Sequence, residues 1–285
     1  MHITFVCTGN TCRSPMAEGI FNSIINERNL KDFSCESCGI YAYPGDEVTP
    51  EAVEAVKKYG ADISSHRSRA FSRYIIDNTD LFVCMTASHA AAVKTVAPNK
   101  KTVVLGVSDP YGGNAAVYDA CAAQIKASLD ILTDLLTVKI TDFCKADVRG
   151  VYELEKECFS SPWSIEGIEA ELDNDTAHFF CAKSGDKVMA YLGVHEVAGE
   201  AYISNIAVSA PYRKNGIASS LMDKAERNAK ERECEFISLE VRKSNSAAIN
   251  LYKKRGYTVR GERKDFYSEP KEDALIMTLL SRRLL

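Results

Sequence analysis

The sequence predicts two α/β architectures joined in one chain of 285 residues. Three observations lead there. The length exceeds that of a usual single domain. The first half alternates short apolar runs with helical stretches, the pattern of a doubly wound parallel sheet. The second half clusters its strand-like runs around hairpin turns, an α+β order with a mostly antiparallel sheet. The change of pattern places one domain at 1–135 and the other at 136–285, with no Gly/Ser/Pro-rich linker between them.

In order, "HITFVC" reads as a buried strand and "SPMAEGIFNSIINERN" as a helix with Pro15 in its first turn. "SCESCGIYA" is a second strand, and "TPEAVEAVKKYG" a helix stopped by Gly60. Strand "DLFVCM", helix "SHAAAVKTVAP" and strand "KTVVLGV" follow, then a helix from about Ala115 to Leu136. In the second half "LTVKITDF" is β-rich, while "DVRGVYELEKECF" and "SIEGIEAEL" are helical. The run 178–208 reads as successive strands, followed by a helix over 216–232. Strand "FISLEVR", helix "SAAINLYKKRG" and strands "YTVRGER" and "DALIMTLL" close the chain.

Composition narrows the function classes. Hydrophobic residues at 46% and charged residues at 26% are globular values, and a net charge of −4 argues against direct nucleic-acid binding. No apolar run approaches a membrane span, and the opening residues lack a secretory pattern. Ten cysteines scattered through such a chain read as reduced thiols, so a cytoplasmic protein is expected. Cys35 and Cys38 form a lone CxxC inside a strand, with no second ligand pair, so no metal site is expected.

The stretch "CTGNTCRS" lies between a strand and a helix, and that geometry makes an anion cradle. The backbone of Thr8, Gly9, Asn10, Thr11 and Cys12 can turn its N–H groups inward, and Arg13 adds a bidentate fork. A helix start, a guanidinium and the Ser14 hydroxyl all stabilise a thiolate at Cys7, which would attack a bound phosphoryl group. Asp109 in "SDPYGG" follows a strand expected to end on the same sheet edge, and it is the candidate acid. A bare C-x5-R is more often a core thiol and a surface arginine. The flanking strand, helix and Asp-Pro loop favour the chemical reading.

"VCTGNTCRSPMAE" together with "DPYGG" resembles the low-molecular-weight protein tyrosine phosphatase family over roughly residues 1–135. The resemblance implies a cysteinyl-phosphate mechanism with Cys7 as nucleophile, Arg13 on the phosphate and Asp109 as acid, braced by Asn10 and Ser14. Thr11 is similar to the bacterial protein arginine phosphatases, where tyrosine-specific members carry Ile or Leu. The expected substrate is a phosphorylated protein, with phosphoarginine favoured over phosphotyrosine. Tyr111 stands where arginine phosphatases often have Phe. Arsenate reductases share the fold, but Cys84 falls in a core strand and Cys121 alone on a helix. Cys12 could pair with Cys7 under oxidation, and His66 and His89 read as structural or surface residues.

In the second half, Arg213, Lys214, Asn215, Gly216, Ile217, Ala218 and Ser219 form an R-x-x-G-x-A turn between a strand and a helix, a second anion loop. Alone this signal is weak. With "AYISNIAV" before it and "LEVRKSNSAAINLYKKRGY" after, the order resembles the GCN5-related N-acetyltransferases over about 136–285. "CFSSPWS" and "ALIMTL" further resemble the ribosomal-protein alanine N-acetyltransferases, which act on the N-terminus of a ribosomal protein. The likeness implies acetyl-CoA as donor, held by the backbone of Ile206, Ala207 and Val208 and by Asn245. It also implies Glu240 as base, Tyr252 as acid and Tyr267 as a peptide contact. Without the family pattern, Glu240 would read as an exposed strand residue and Tyr252 as a core aromatic. Ser219 replaces a commonly basic residue, which implies weaker pyrophosphate binding.

Overall fold

The computed structural model describes residues 1–280, and the chain divides into two compact units, Met1–Thr133 and Asp134–Leu285. The first unit is a parallel sheet of β1 (His2–Cys7), β2 (Ser34–Gly39), β3 (Leu81–Cys84) and β4 (Lys101–Val104), ordered β2-β1-β3-β4. Helices α1 (Arg13–Glu27), α2 (Pro50–Lys57), α3 (Arg73–Asn78), α4 (Ala87–Val96) and α5 (Ala115–Thr137) accompany it, and the division between units falls within α5. Ile3, Phe5 and Val6 of β1 are fully buried, which matches the continuous apolar run of a strand covered on both faces. Met16, Ile20 and Ile24 recur at helical spacing along α1 and face the core.

Because the strands are parallel, Cys7, Gly39, Cys84 and Val104 all end on one edge. That edge carries the phosphate-type loop. The strand expected over "KTVVLGV" pairs formally to Val104, yet Leu105 and Val107 still donate to Cys84 and Met85 carbonyls at 2.9 and 2.8 Å. Those bonds carry the chain toward Asp109. Helix α3 had no expectation: it is six residues long and buries only Ile75, too little for a periodic signal.

The second unit holds β5 (Lys139–Asp142), α6 (Val148–Cys158), α7 (Ile165–Ala170), β6 (Ala177–Ser184), β7 (Lys187–Val197) and β8 (Glu200–Val208). It continues with α8 (Ile217–Glu231), β9 (Phe236–Arg242), α9 (Ser246–Lys254), β10 (Thr258–Ser268) and β11 (Lys271–Leu280). Its seven strands run β10-β11-β9-β8-β7-β6-β5, all antiparallel except β8 against β9. Val151, Leu154, Ile168, Cys181 and Tyr191 build the core between helices and sheet.

Two irregularities of β8 bear on the site. The β8–β9 pairing runs only from Glu200 with Phe236 to Ile203 with Leu239, and beyond it the strands part. Opposite, Asn205 faces Gly193 and Ile203 faces Val194, so Ser204 is an unpaired bulge in β8. Bulge and parting coincide.

Two candidate active sites

In the first unit Cys7 closes β1 at 3% exposure, with Ser14 Oγ 2.9 Å from its Sγ and the Asn10 amide donating to it at 3.2 Å. Asn10 is fully buried with φ +57, a left-handed conformation that asparagine tolerates better than most residues. Its side chain repays that strain locally. Nδ2 donates to Ser14 Oγ at 2.9 Å and to Ser37 Oγ at 2.8 Å, while Oδ1 accepts from the Arg69 amide at 2.7 Å. The amides of Gly9, Thr11 and Cys12 donate to no acceptor among the described residues. The first turn of α1 adds further unpaired N–H groups, so the loop gathers donors around one point.

Gly39 at the end of β2 makes this close packing possible. A Cβ there would stand 2.5 Å from the Thr8 carbonyl oxygen and 2.9 Å from the Asn10 nitrogen. Arg13, 5% exposed, donates through Nη2 to Asp109 Oδ2 at 2.5 Å, so the expected phosphate ligand and the expected acid meet directly. Asp109 Oδ1 accepts from the Tyr111 amide at 3.3 Å. Thr11 lies half-buried, and among the described residues its hydroxyl has only the weak partner Cys12 Sγ, at 3.7 Å. Cys12 Sγ lies 3.5 Å from Thr49 Oγ1 and 3.4 Å from the Tyr118 hydroxyl, whose pKa burial and that thiol push up to about 12.

His66 and His89 belong to this site, which the sequence did not reveal. His66 Nε2 reaches Asn10 Oδ1 at 3.2 Å, with Glu18 at 3.6 Å from its other nitrogen. His89 Nε2 meets Thr8 Oγ1 at 2.9 Å and Nδ1 meets Thr86 Oγ1 at 2.8 Å. Burial lowers the pKa of both rings, and for His89 the Arg13 guanidinium adds to the effect. Glu18 ties the outer ring together, accepting from Ser37 Oγ at 2.6 Å and from Arg69 at 2.9 Å. No fixed spacing links these residues to Cys7, so only the fold could disclose them.

In the second unit a cavity of about 630 Å³ opens where β8 and β9 part. Glu240 and Tyr252 both line it, together with Asn205, Ile206, Asn245 and Tyr267. Glu240 Oε1 accepts from Arg263 Nη1 at 2.9 Å. Tyr252 is 3% exposed, and burial pushes its phenol well above the ordinary range. Tyr267 lies beneath the Arg242 guanidinium at 4.1 Å.

Some expected cofactor residues stand differently. Asn245 caps α9, its Oδ1 accepting from the Ala248 amide at 3.1 Å, so only its Nδ2 is left for a ligand. Arg213 turns back, donating through Nε to the Val208 carbonyl at 2.9 Å, which removes that carbonyl from the available set. Ala207, Val208 and the loop 213–219 do not line the cavity. The loop nevertheless gathers unpaired donors: Lys214 and Gly216 have φ of +65 and +83, and the Lys214, Asn215 and Gly216 amides find no acceptor among the described residues. Ile217, Ala218 and Ser219 begin α8 with the free N–H groups of a helix start.

All ten cysteines are free thiols. No group of three or more His, Cys, Asp or Glu among the described residues is arranged to hold a metal, and no described helix is long and apolar enough to cross a membrane.

A buried thiol ringed by unpaired amides and an arginine marks one kind of site, and a carboxylate and a phenol lining the cavity at a parted sheet mark another. The profile described as "Low molecular weight phosphotyrosine protein phosphatase" matches residues 2–141, and that described as "Acetyltransferase (GNAT) family" matches 148–257. The chain belongs to both families, one in each half, and both are families of enzymes. It is 39% identical over 132 residues, 46% of this chain and 87% of the relative, to the "Putative ribosomal protein bS18-alanine N-acetyltransferase" of Bacillus subtilis. It is 35% identical over 147 residues, 48% of this chain and 92% of the relative, to the protein-arginine-phosphatase of the same organism. An arsenate reductase of Staphylococcus xylosus is 34% identical over 128 residues, 45% of this chain and 92% of the relative.

Proposed function

We propose that the protein is a bifunctional cytoplasmic enzyme: a phosphatase favouring phosphoarginine in proteins, and an acetyltransferase acting on the N-terminal alanine of a ribosomal protein. The observation that carries the first activity is the convergence of Asn10 N–H and Ser14 Oγ on Cys7 Sγ, with Arg13 and Asp109 joined beside it. Cys7 Sγ forms a bond to phosphorus as the bond to the leaving nitrogen breaks, and Asp109 gives that nitrogen its proton. A water then attacks the cysteinyl phosphate, losing its proton to the Asp109 carboxylate as the S–P bond breaks, which releases phosphate and restores the Cys7 thiolate and the Asp109 acid. The loop amides and Arg13 carry the charge on the phosphoryl oxygens throughout.

The preference for phosphoarginine rests on Thr11, whose hydroxyl has only a weak thiol partner and can meet a polar guanidinium. Phosphotyrosine is the second reading. Tyr41, whose amide donates to the Thr8 carbonyl at 2.9 Å, is 82% exposed, and Tyr111 beside Asp109 is 77% exposed. Either aromatic could face a phenyl ring. Arsenate reduction is disfavoured, because burial pushes the Cys84 and Cys121 thiols up to about 12, unlike thiols poised to resolve a disulfide. Comparing wild type with Cys7→Ser on phosphoarginine and phosphotyrosine peptides tests the assignment. Equal inactivity of wild type on both would sink it, and preference for phosphotyrosine would transfer the assignment to the second reading.

In the second unit the unpaired amides of Lys214, Asn215 and Gly216 and the first turn of α8 fit the pyrophosphate of acetyl-CoA, and the parted strands fit its extended arm. Acetyl-CoA would supply the acetyl group as a thioester. Glu240 accepts a proton from the incoming ammonium, directly or through water, and Tyr252 Oη holds the proton a departing thiolate requires. Mass spectrometry of an alanine-starting ribosomal peptide after incubation with acetyl-CoA is the test. Acetylation of side-chain or small-molecule amines alone would overturn the α-amine assignment.

A further inference from the structure

Beside Glu240 and Tyr252, the cavity of the second unit carries an amide whose orientation is set from below. Asn205 follows the bulge at Ser204, and its Nδ2 donates at 2.8 Å to Glu155 Oε1 and at 2.9 Å to the Tyr191 hydroxyl oxygen. Glu155 and Tyr191 are at most 1% exposed. Glu155 also accepts the Tyr191 hydroxyl hydrogen through Oε1 and the Trp163 amide through Oε2 at 2.8 Å.

This arrangement locks the amide. A carboxylate offers only acceptors, and the single hydroxyl hydrogen of Tyr191 is already given to it. Turned over, Asn205 would set its carbonyl oxygen against two oxygens with no hydrogen to share, at the cost of two buried bonds. So Nδ2 stays down. The carbonyl Oδ1, which has no partner among the described residues, is left as an acceptor aimed before any ligand arrives.

We propose that Asn205 Oδ1 accepts a hydrogen bond from the α-amine that is acetylated, with Glu155 and Tyr191 as positioning residues that hold the amide in register. This rests on the acetyltransferase reading given above. A thioester presents only acceptors at its reacting end and would be repelled there, whereas a primary amine has N–H groups to give. Holding one of them leaves the nitrogen lone pair free to face the acetyl carbon once Glu240 has taken a proton.

The experiment measures KM for an alanine-starting peptide and for acetyl-CoA separately, in wild type, Asn205→Ala and Glu155→Gln. Loss of one such bond predicts about a tenfold rise in peptide KM for Asn205→Ala, with acetyl-CoA KM within twofold. Glu155→Gln can give an N–H to a turned Asn205, so it should show the same split at smaller size, and it keeps the idea testable if Asn205→Ala folds poorly. Equal rises in both constants, or no change in either, would overturn the proposal while leaving the acetyltransferase reading intact. A wild type that acetylates no α-amine sinks that reading, and this one with it.

Discussion

Each half of the molecule gathers unpaired amides at the start of a helix, but the two loops are built differently. The loop after Cys7 is braced by buried polar side chains: Asn10 alone contacts Ser14, Ser37, His66 and the Arg69 backbone. The loop before α8 has no side-chain cap and no buried polar brace among the described residues: Lys214 and Gly216 take positive φ, and the Asn215 side chain donates only to the neighbouring Tyr212 and Arg213 carbonyls. The difference follows the chemistry. On the chemistry proposed for the first unit the reacting atom, Cys7 Sγ, opens the loop, so loop geometry would be reaction geometry. On the chemistry proposed for the second unit the loop would only grip the donor, while the reacting groups would sit on β9 and α9 around the cavity.

The widest break in this comparison is Cys7→Ser. It should lower phosphatase turnover on the order of 10⁴-fold or more while leaving acetylation unchanged, measured by parallel assays on one preparation. Tyr252→Phe is the counterpart in the second unit. Acetylation should fall about a hundredfold with little change in melting temperature, because the hydroxyl makes no hydrogen bond among the described residues. Gly39→Ala probes the brace instead of the chemistry. Its Cβ would press on Thr8 and Asn10, costing about 1–3 kcal/mol in chemical denaturation of the first unit and slowing the phosphatase. Gly216→Ala, where the added Cβ has open space but an unfavourable φ, should cost only about 1 kcal/mol and raise the acetyl-CoA KM.

The smallest effect is on pH. His66 and His89 have folded pKa values below the ordinary 6.5, so between those values the unfolded chain binds more protons. Stability of the first unit is therefore complete above about 6.5 and declines as pH falls from there to the depressed folded values. Melting curves across that window should flatten in His89→Gln, and an unchanged slope would remove His89 from the account.

How far the sequence could be read depended on how local each feature is. The Cys7 loop, the strand before it and the helix after it are contiguous, so both the fold and the place of Cys7 in the loop were legible. Asp109 was legible because a parallel sheet brings all strand ends to one edge. His66, His89, Ser37 and Glu18 were not, because their link to the loop is tertiary packing with no fixed spacing. The capping bond of Asn245 was not legible either, because capping α9 and touching a cofactor call for the same residue type. The turning back of Arg213 onto Val208 likewise depends on geometry that no motif encodes.

The parting of β8 from β9 beyond Ile203 and Leu239 has a consequence in hydrogen–deuterium exchange. Alternate peptide groups of β8 past that point face a gap instead of a neighbouring strand, so their hydrogens should trade with solvent deuterium faster than those paired to β7. Coenzyme A in the gap would slow that trade over Ser204–Val208, whereas inorganic phosphate would slow it around Cys7 and leave Ser204–Val208 unchanged. The uptake pattern thus separates occupancy of the two sites in a single sample, with neither substrate identified.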